Sequence, residues 1–481
     1  MTPTSAALGI VAVIVGGTML FALWSVRRLT VDPAQFIVGG RSFGTILLWV
    51  LMAGEIYTSF TFLGMAGWAY GLGAPAYYIP AYGTIGYIIS YFLLPAIWRV
   101  GKERGLLTAP DFLADRYGSR ALGIFAGVVY FVLIVPYVTL QLSGLQTLLT
   151  MAGYGRFNAT AAVAVAFIAI ALFVFTAGLR GTAWASVVKD VLVLGAITFA
   201  GIAIPIQFFG SPAGMIDQVL RAHPGWLTLK PGTPAHGTIW YVSTVALTGI
   251  GFFMGPHSIN AVYSARSENV LRRNAMLLPF YQIVMLLAFF AGLSALLIAP
   301  GLKGPAVDQS FLLVVQRYYP PWVMGFVAAA GSLAALIPAS ALLLAASGVF
   351  TENVLVPFGI ATADAAKTMA MRLLVVVIAF LALALWLLAR TTLVELLLLY
   401  FSFVTQFAPA FIATFVWRRA NVWGVTSGIV IGLALALVLT NLKVSLWGLN
   451  PGFIALIGNA LILVVVSLAT PKRKELADAS S

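Results

Sequence analysis

Apolar windows of about 20 residues, each long enough to cross a lipid bilayer, recur along this chain, and a water-soluble core has no room for so many. They lie near 5–25, 45–71, 75–98, 120–151, 159–178, 182–209, 237–263, 274–299, 321–350, 369–389, 393–417, 422–441 and 452–470. Only 9% of the residues are charged, against roughly a quarter in soluble domains. A segment in hydrocarbon must satisfy its own backbone groups, which leaves helices as the solution. The expected fold class is therefore an all-α polytopic membrane protein with about thirteen transmembrane helices.

The basic residues test that count. With thirteen spans and the N-terminus outside, nineteen of the 27 Lys and Arg fall on the inside, among them Arg27, Arg28, Arg99, Lys102, Arg104, Arg272, Arg273, Arg418 and Arg419. Seven fall outside, and Lys189 lies within a span. This bias sets orientation, so the C-terminus is expected in the cytoplasm of a bacterial-type inner (plasma) membrane. The net charge of +13 is spread through short loops, which fits membrane orientation and gives no nucleic-acid surface. No basic residue precedes the first apolar run at 6–24, whereas a cleaved signal peptide has the reverse order; the run reads as a retained span.

There are no cysteines, hence no disulfide and no thiolate metal site. His223, His236 and His257 are too scattered for a metal cluster. Without a nucleophile or metal set, an enzyme is not expected, and neither is a cofactor.

The stretch 50–73, VLMAGEIYTSFTFLGMAGWAYGLG, is apolar enough for the bilayer yet carries Glu55 and a polar cluster at Tyr57, Thr58, Ser59 and Thr61. Glycines at 54, 64, 67, 71 and 73 interrupt it. Irregular backbone at membrane depth survives where it faces protein or a water-filled cavity. A broken helix with an ionisable side chain points to a transporter's binding site. The plainer alternative is a glycine-packed seam, which would leave Glu55 in need of a burial partner. The seventh window is broken as well, at TGIGFFMGPH (248–257), where Pro256 removes a donor. Two interrupted segments at matching places suggest inverted repeats, here 44–209 and 236–417. They would be flanked by an extra N-terminal helix (1–26), two C-terminal helices (421–470) and a cytoplasmic tail (471–481).

Several motifs, in order, resemble those of the solute:sodium symporter family: FIVGGRSFG (36–44), FLGMAGWAYGLG (62–73), YVTLQLSG (137–144), GLRGTAWASVVKD (178–190), GPHSINAVYSA (255–265) and ASGVFTENV (346–354). Within the family the chain is similar to the bacterial monocarboxylate permeases. The resemblance implies the LeuT-type fold of two inverted five-helix repeats and small carboxylates such as lactate, pyruvate, acetate or propionate as substrates, carried by alternating access.

A small carboxylate needs donors. The breaks at 54–61 and 249–257 each offer half-helix N-termini, which favour anions. Thr58, Ser59 and Thr61 add hydroxyls, and Tyr57, Phe252 and Phe253 are expected to cover an alkyl tail. Tyr137 and Gln141, one turn apart, either reach the same cavity or bridge helices. His257 either titrates near neutral pH or caps broken backbone. Lys189 and Asp190 sit in ASVVKDVLVLGAI (185–197), where charges are usually paired. Sequence neighbours project about 100° apart on a helix, so these two are expected not to pair on one face, one facing the cavity and the other lying nearer the cytoplasmic end, with a structural ion pair as the alternative.

In one respect the chain departs from the family. Sodium-coupled members resemble one another in a cation site of first-break carbonyls and two hydroxyl residues in the ninth span. Alignment on FTEN (350–353) puts Ile337 and Pro338 at the hydroxyl positions, and Val187 at that of a sixth-span carboxylate. A hard cation needs oxygen ligands; what remains is the backbone of Gly54 and Tyr57, or of Ala53 and Ile56 if the alignment slips by one, with Ala334 as a further position. Coupling to H+ is therefore expected over Na+, through Glu55, Lys189 and Asp190. The alternatives are a sodium-coupled symporter of another small solute, a channel or uniporter, and a membrane sensor. The expected partners are the solute and the bilayer, with the monomer as the working unit.

Overall fold

The computed structural model describes residues 2–27, 37–231, 235–388, 391–442 and 444–471. Arg28, Phe36, Arg390, Lys443 and the tail beyond Pro471 lie outside the described residues. The described residues are helical throughout, apart from loops and one isolated bridge between Phe43 and Ala265.

In chain order the principal helices are α1 Pro3–Val26, α2 Thr45–Ile56, α3 Met65–Gly71, α4 Tyr78–Glu103, α5 Arg120–Ala152, α6 Ala159–Thr198, α7 Thr238–Gly251 and α8 Pro256–Ser264. They continue with α9 Glu268–Ile298, α10 Pro321–Phe350, α11 Asp364–Leu388, α12 Leu393–Val404, α13 Ala408–Val416, α14 Val422–Asn441 and α15 Pro451–Ala469. Several start on side-chain caps that satisfy orphan N–H groups: Ser119 for α5, Asn421 for α14, Asn450 for α15, and a Thr392–Glu395 capping box for α12. Among the described residues, ten helices are long and apolar enough to cross a membrane, and twelve if each of two bent pairs is one span. The axis of α6 turns at Gly178, whose φ of 60° and ψ of −169° suit only a residue without Cβ. That turn separates the fifth and sixth apolar windows.

The bent pairs begin the two segments 44–209 and 236–417. From α2 to the stretch Phe60–Gly71 the axis swings by 54°, and from α7 to α8 by 45°. In the first pair the chain leaves helical geometry at Tyr57 (φ −85°, ψ 82°) and re-enters through a π-turn at Phe60–Gly64. In the second, Gly255 is extended and Pro256 takes the first helical position, where its missing N–H is no loss.

At the centre stands α10. Its membrane window is 94% buried, against 33% for α14 and α15. Its sequence, AAAGSLAALIPASALLLAAS, is built of small residues, which let backbones approach closely where lipid gives no hydrophobic drive. α1, α5 and α6 pack around it, while α2 lies on α6, α9 on α4 and α3, and α12 on α5. α14 and α15 pair with each other at the periphery.

Two loop contacts fix the ends of the bent pairs. Beside the bridge at Phe43, the Phe43 N–H donates to Ser264 O (2.9 Å) and Trp98 Nε1 to Ala265 O (2.8 Å), tying the approach to α2 to the end of α8. At the opposite end of the first pair, the segment Gly304–Gln309 packs on α3. Asp308 Oδ2 there accepts the N–H of Leu393 at 2.9 Å, and its Oδ1 lies where a Cβ on Gly67 would come within 2.6 Å.

Candidate functional site

Breaking α2 frees backbone oxygen. The Thr58 N–H turns to Ile56 O (3.1 Å) and so does not pair with Gly54 O, its α-helical partner four residues back. The carbonyls of Gly54 and Tyr57 instead receive the ammonium of Lys189, at 2.9 Å and 3.2 Å. Lys189 is fully buried. Gly54 makes the approach possible: a Cβ there would lie 2.9 Å from Ser186 Oγ and 3.2 Å from Lys189 Nζ.

The third group on this ammonium corrects one expectation. Lys189 Nζ lies 2.9 Å from Asp190 Oδ1, so the two sequence neighbours do pair. The helical offset fixes where their Cβ atoms point, but the flexible four-carbon lysine stem carries its head back to the adjacent carboxylate. Both charges are buried, where an unpaired ion is strongly disfavoured.

Next to this cluster, α2, α5, α8 and α12 enclose a cavity of about 20 Å³, room for roughly one water molecule. Its polar lining is Glu55, Tyr82, Tyr137, His257, Ser258 and Tyr400; Ile56, Phe252, Phe253, Leu397 and Phe401 are among the residues that supply apolar wall. Glu55 Oε1, His257 Nδ1 and Tyr400 Oη are buried without a hydrogen-bond partner among the described residues. Tyr137 donates to the carbonyl of Glu55 (3.4 Å), and its ring packs edge-on to His257. The N-terminus of α8 is beside them, with its orphan N–H groups.

The other hydroxyls of the break are occupied elsewhere. Thr58 Oγ1 accepts from the Phe60 N–H (3.1 Å), Thr61 Oγ1 donates to Ile56 O (2.7 Å), and Ser59 Oγ donates to Gln141 Oε1 (2.8 Å). They stitch irregular backbone together and tie it to α5, in the way such side chains compete for local backbone groups. Gln141 thus bridges helices, whereas Tyr137 faces the cavity. Tyr57 turns towards α9, where its hydroxyl donates to Tyr281 O. His257 lines the cavity with a free ring nitrogen rather than capping backbone. Ala334 is buried in α10; nearby Ser340 donates to Leu336 O (2.8 Å), and Ser332 Oγ has no partner among the described residues.

Tyr400, Leu397 and Phe401 escaped the sequence reading. Their i, i+3, i+4 spacing puts them on one face of α12, but within VELLLLYFSF an apolar run of that kind gives no sign of which face meets lipid and which a cavity.

Residues 36–432 match the model of the sodium:solute symporter family. An uncharacterized symporter of Bacillus subtilis, YhjB, is 37% identical over 97% of this chain and 98% of its own length. A monocarboxylate transport permease protein of Rhizobium johnstonii is 30% identical over 66% of this chain and 63% of its own. The fold is similar to that of a Na+-coupled sialic acid symporter solved in a substrate-bound outward-open state, with a TM-score of 0.83 and 15% identity, covering 98% of this chain and 99% of that one.

Proposed function

The chain belongs to the sodium:solute symporter family and is a multi-pass secondary transporter, not an enzyme; on that premise we propose that its solute is a small monocarboxylate and its coupling ion a proton. The observation that carries the proton reading is the Lys189 ammonium, 2.9 Å from Gly54 O and 3.2 Å from Tyr57 O. A covalently held cation on these carbonyls leaves them unavailable to a mobile one. The side-chain oxygens that would complete a hard-cation shell are replaced in α10 by Ile337 and Pro338.

In this reading Glu55 carries the proton. Its carboxyl group faces the same cavity as the donors around His257 and Tyr400. As the neutral acid, Glu55 donates a hydrogen bond to the entering carboxylate; as the anion, it repels it. Substrate and proton thus favour each other's binding, which is the reciprocal coupling a symporter requires. Lys189 and Asp190 hold the break in α2 in shape. The 30% identical monocarboxylate permease supports that solute class. The transporter works as a monomer in the inner membrane, with its N-terminus outside.

The test is uptake of labelled L-lactate into proteoliposomes under separately imposed proton and sodium gradients, against a panel of short carboxylates, amino acids and sugars. Competition by monocarboxylates alone supports the reading. Uptake confined to amino acids or sugars contradicts it.

A further inference from the structure

We infer that the chain carries a binding site for an anionic phospholipid, with an acyl chain in a groove between α7, α13 and α15 and the phosphate on Arg418. The inference is independent of the solute and of the coupling ion. The groove has a volume of about 410 Å³, and every residue lining it is apolar. Pro409 and Ile412 of α13, Leu456 and Leu463 of α15 and Ile250 of α7 form its wall. Val416 and Val464 in the lining are 75% and 41% exposed, so the groove opens sideways towards lipid. Hydrocarbon alone fills such a groove without selecting among lipids; the charge at its mouth makes the selection.

That mouth is the end of α13. Trp417 belongs to the lining there, and tryptophan favours the headgroup level of a bilayer. Arg116, just before α5, donates to Thr414 O (3.1 Å), and Arg419 donates to Leu468 O and Thr470 O (3.1 Å each). These bonds pin two arginines at the ends of α13 and α15. Arg418 is exposed, and among the described residues no carboxylate forms an ion pair with any of the three. Basic residues next to a span attract anionic lipids, and the guanidinium fork matches a phosphate. A second copy of the chain is the poorer occupant, because a two-fold contact through this face would set the same arginines against each other. Ile250 precedes Phe252 of the central cavity by two residues, so the acyl chain packs on the second bent pair.

The experiment is thermal unfolding of the purified full chain in a neutral detergent, titrated with phosphatidylglycerol or with phosphatidylcholine of the same acyl chains. Phosphatidylglycerol is expected to raise the melting temperature by several degrees, as a ligand of the folded state does, and phosphatidylcholine by much less. In Arg418→Gln the phosphatidylglycerol concentration that gives half the shift should rise about fivefold. Lys303→Gln, which removes an exposed cation at the opposite end of the bundle, should leave it unchanged. Ala460→Phe fills the groove with the arginines in place and should abolish the shift; if that variant does not fold, Arg418→Gln decides alone. Equal shifts with both lipids, an unaltered titration in Arg418→Gln, or as large a shift with inorganic phosphate alone overturns the inference. So does a dimer of the wild type, seen by light scattering, that Ala460→Phe disperses.

Discussion

The ammonium of Lys189 lies 2.9 Å from the carbonyl oxygen of Gly54, a contact between residues 135 positions apart. It joins the sixth apolar window to the break in the second. The same ammonium holds Asp190, so four groups share one buried charge cluster.

That cluster makes the two neighbours energetically dependent. Lys189→Met leaves Asp190 buried and unpaired, a loss of about 3–5 kcal/mol. Removing both charges, in Lys189→Met with Asp190→Leu, is expected to recover a large part of it. Thermal denaturation of the purified single and double variants measures the coupling, expected at about 1 kcal/mol or more. Strictly additive losses would count against a paired cluster.

Glu55 behaves differently because it is proposed to change protonation during transport. Glu55→Gln keeps a donor towards the substrate but removes the exchangeable proton. The variant is expected to retain counterflow of labelled lactate and to lose accumulation driven by a pH gradient. Undiminished proton-driven accumulation in Glu55→Gln would move the coupling role to another residue.

Asp308 gives a pH signature of stability, outside the spans. Burial raises its carboxyl from the ordinary 3.8 to about 7, opposed in part by the hydrogen bond from Leu393. The folded state therefore holds this proton more tightly than the unfolded chain does. The resulting stability is fully present below 3.8 and is lost as pH rises from there through about 7. Asp308→Asn keeps an acceptor for the Leu393 N–H and removes the ionisation. Its melting temperature should gain on that of the wild type between pH 5 and pH 8, by about 2–5 °C. A difference constant across that range contradicts the assignment.

Orientation is open to direct labelling, because the chain contains no cysteine. Thr2→Cys should react with a membrane-impermeant maleimide in intact cells, and Ser481→Cys only after lysis. The opposite pattern would reverse the orientation drawn from the Lys/Arg bias.

How far the sequence reached differs between fold and site. Apolar windows and glycine-rich interruptions are local properties, so the helices and the two bends could be read from composition and from Pro256 alone. Lys189 and Glu55 stood out because charges are rare at membrane depth. What Lys189 touches did not, since a helical projection gives the direction of a Cβ and not the reach of a long side chain. For the same reason the pairing with Asp190 was missed. Thr58, Ser59 and Thr61 read as substrate donors, yet a hydroxyl beside broken backbone serves that backbone equally well, and only tertiary structure shows which. Tyr400 lies about 350 residues from the first break, and nothing near it in sequence marks it as a neighbour of His257.

The central claim, that the Lys189 ammonium stands where a mobile cation would otherwise be needed, meets its most direct test in sodium-free proteoliposomes. The measurement is accumulation of labelled L-lactate under an inward proton gradient, with membrane potential clamped. The account predicts uphill accumulation without sodium, abolished by protonophore, and none under a sodium gradient alone. Accumulation that requires sodium and ignores protonophore would contradict it.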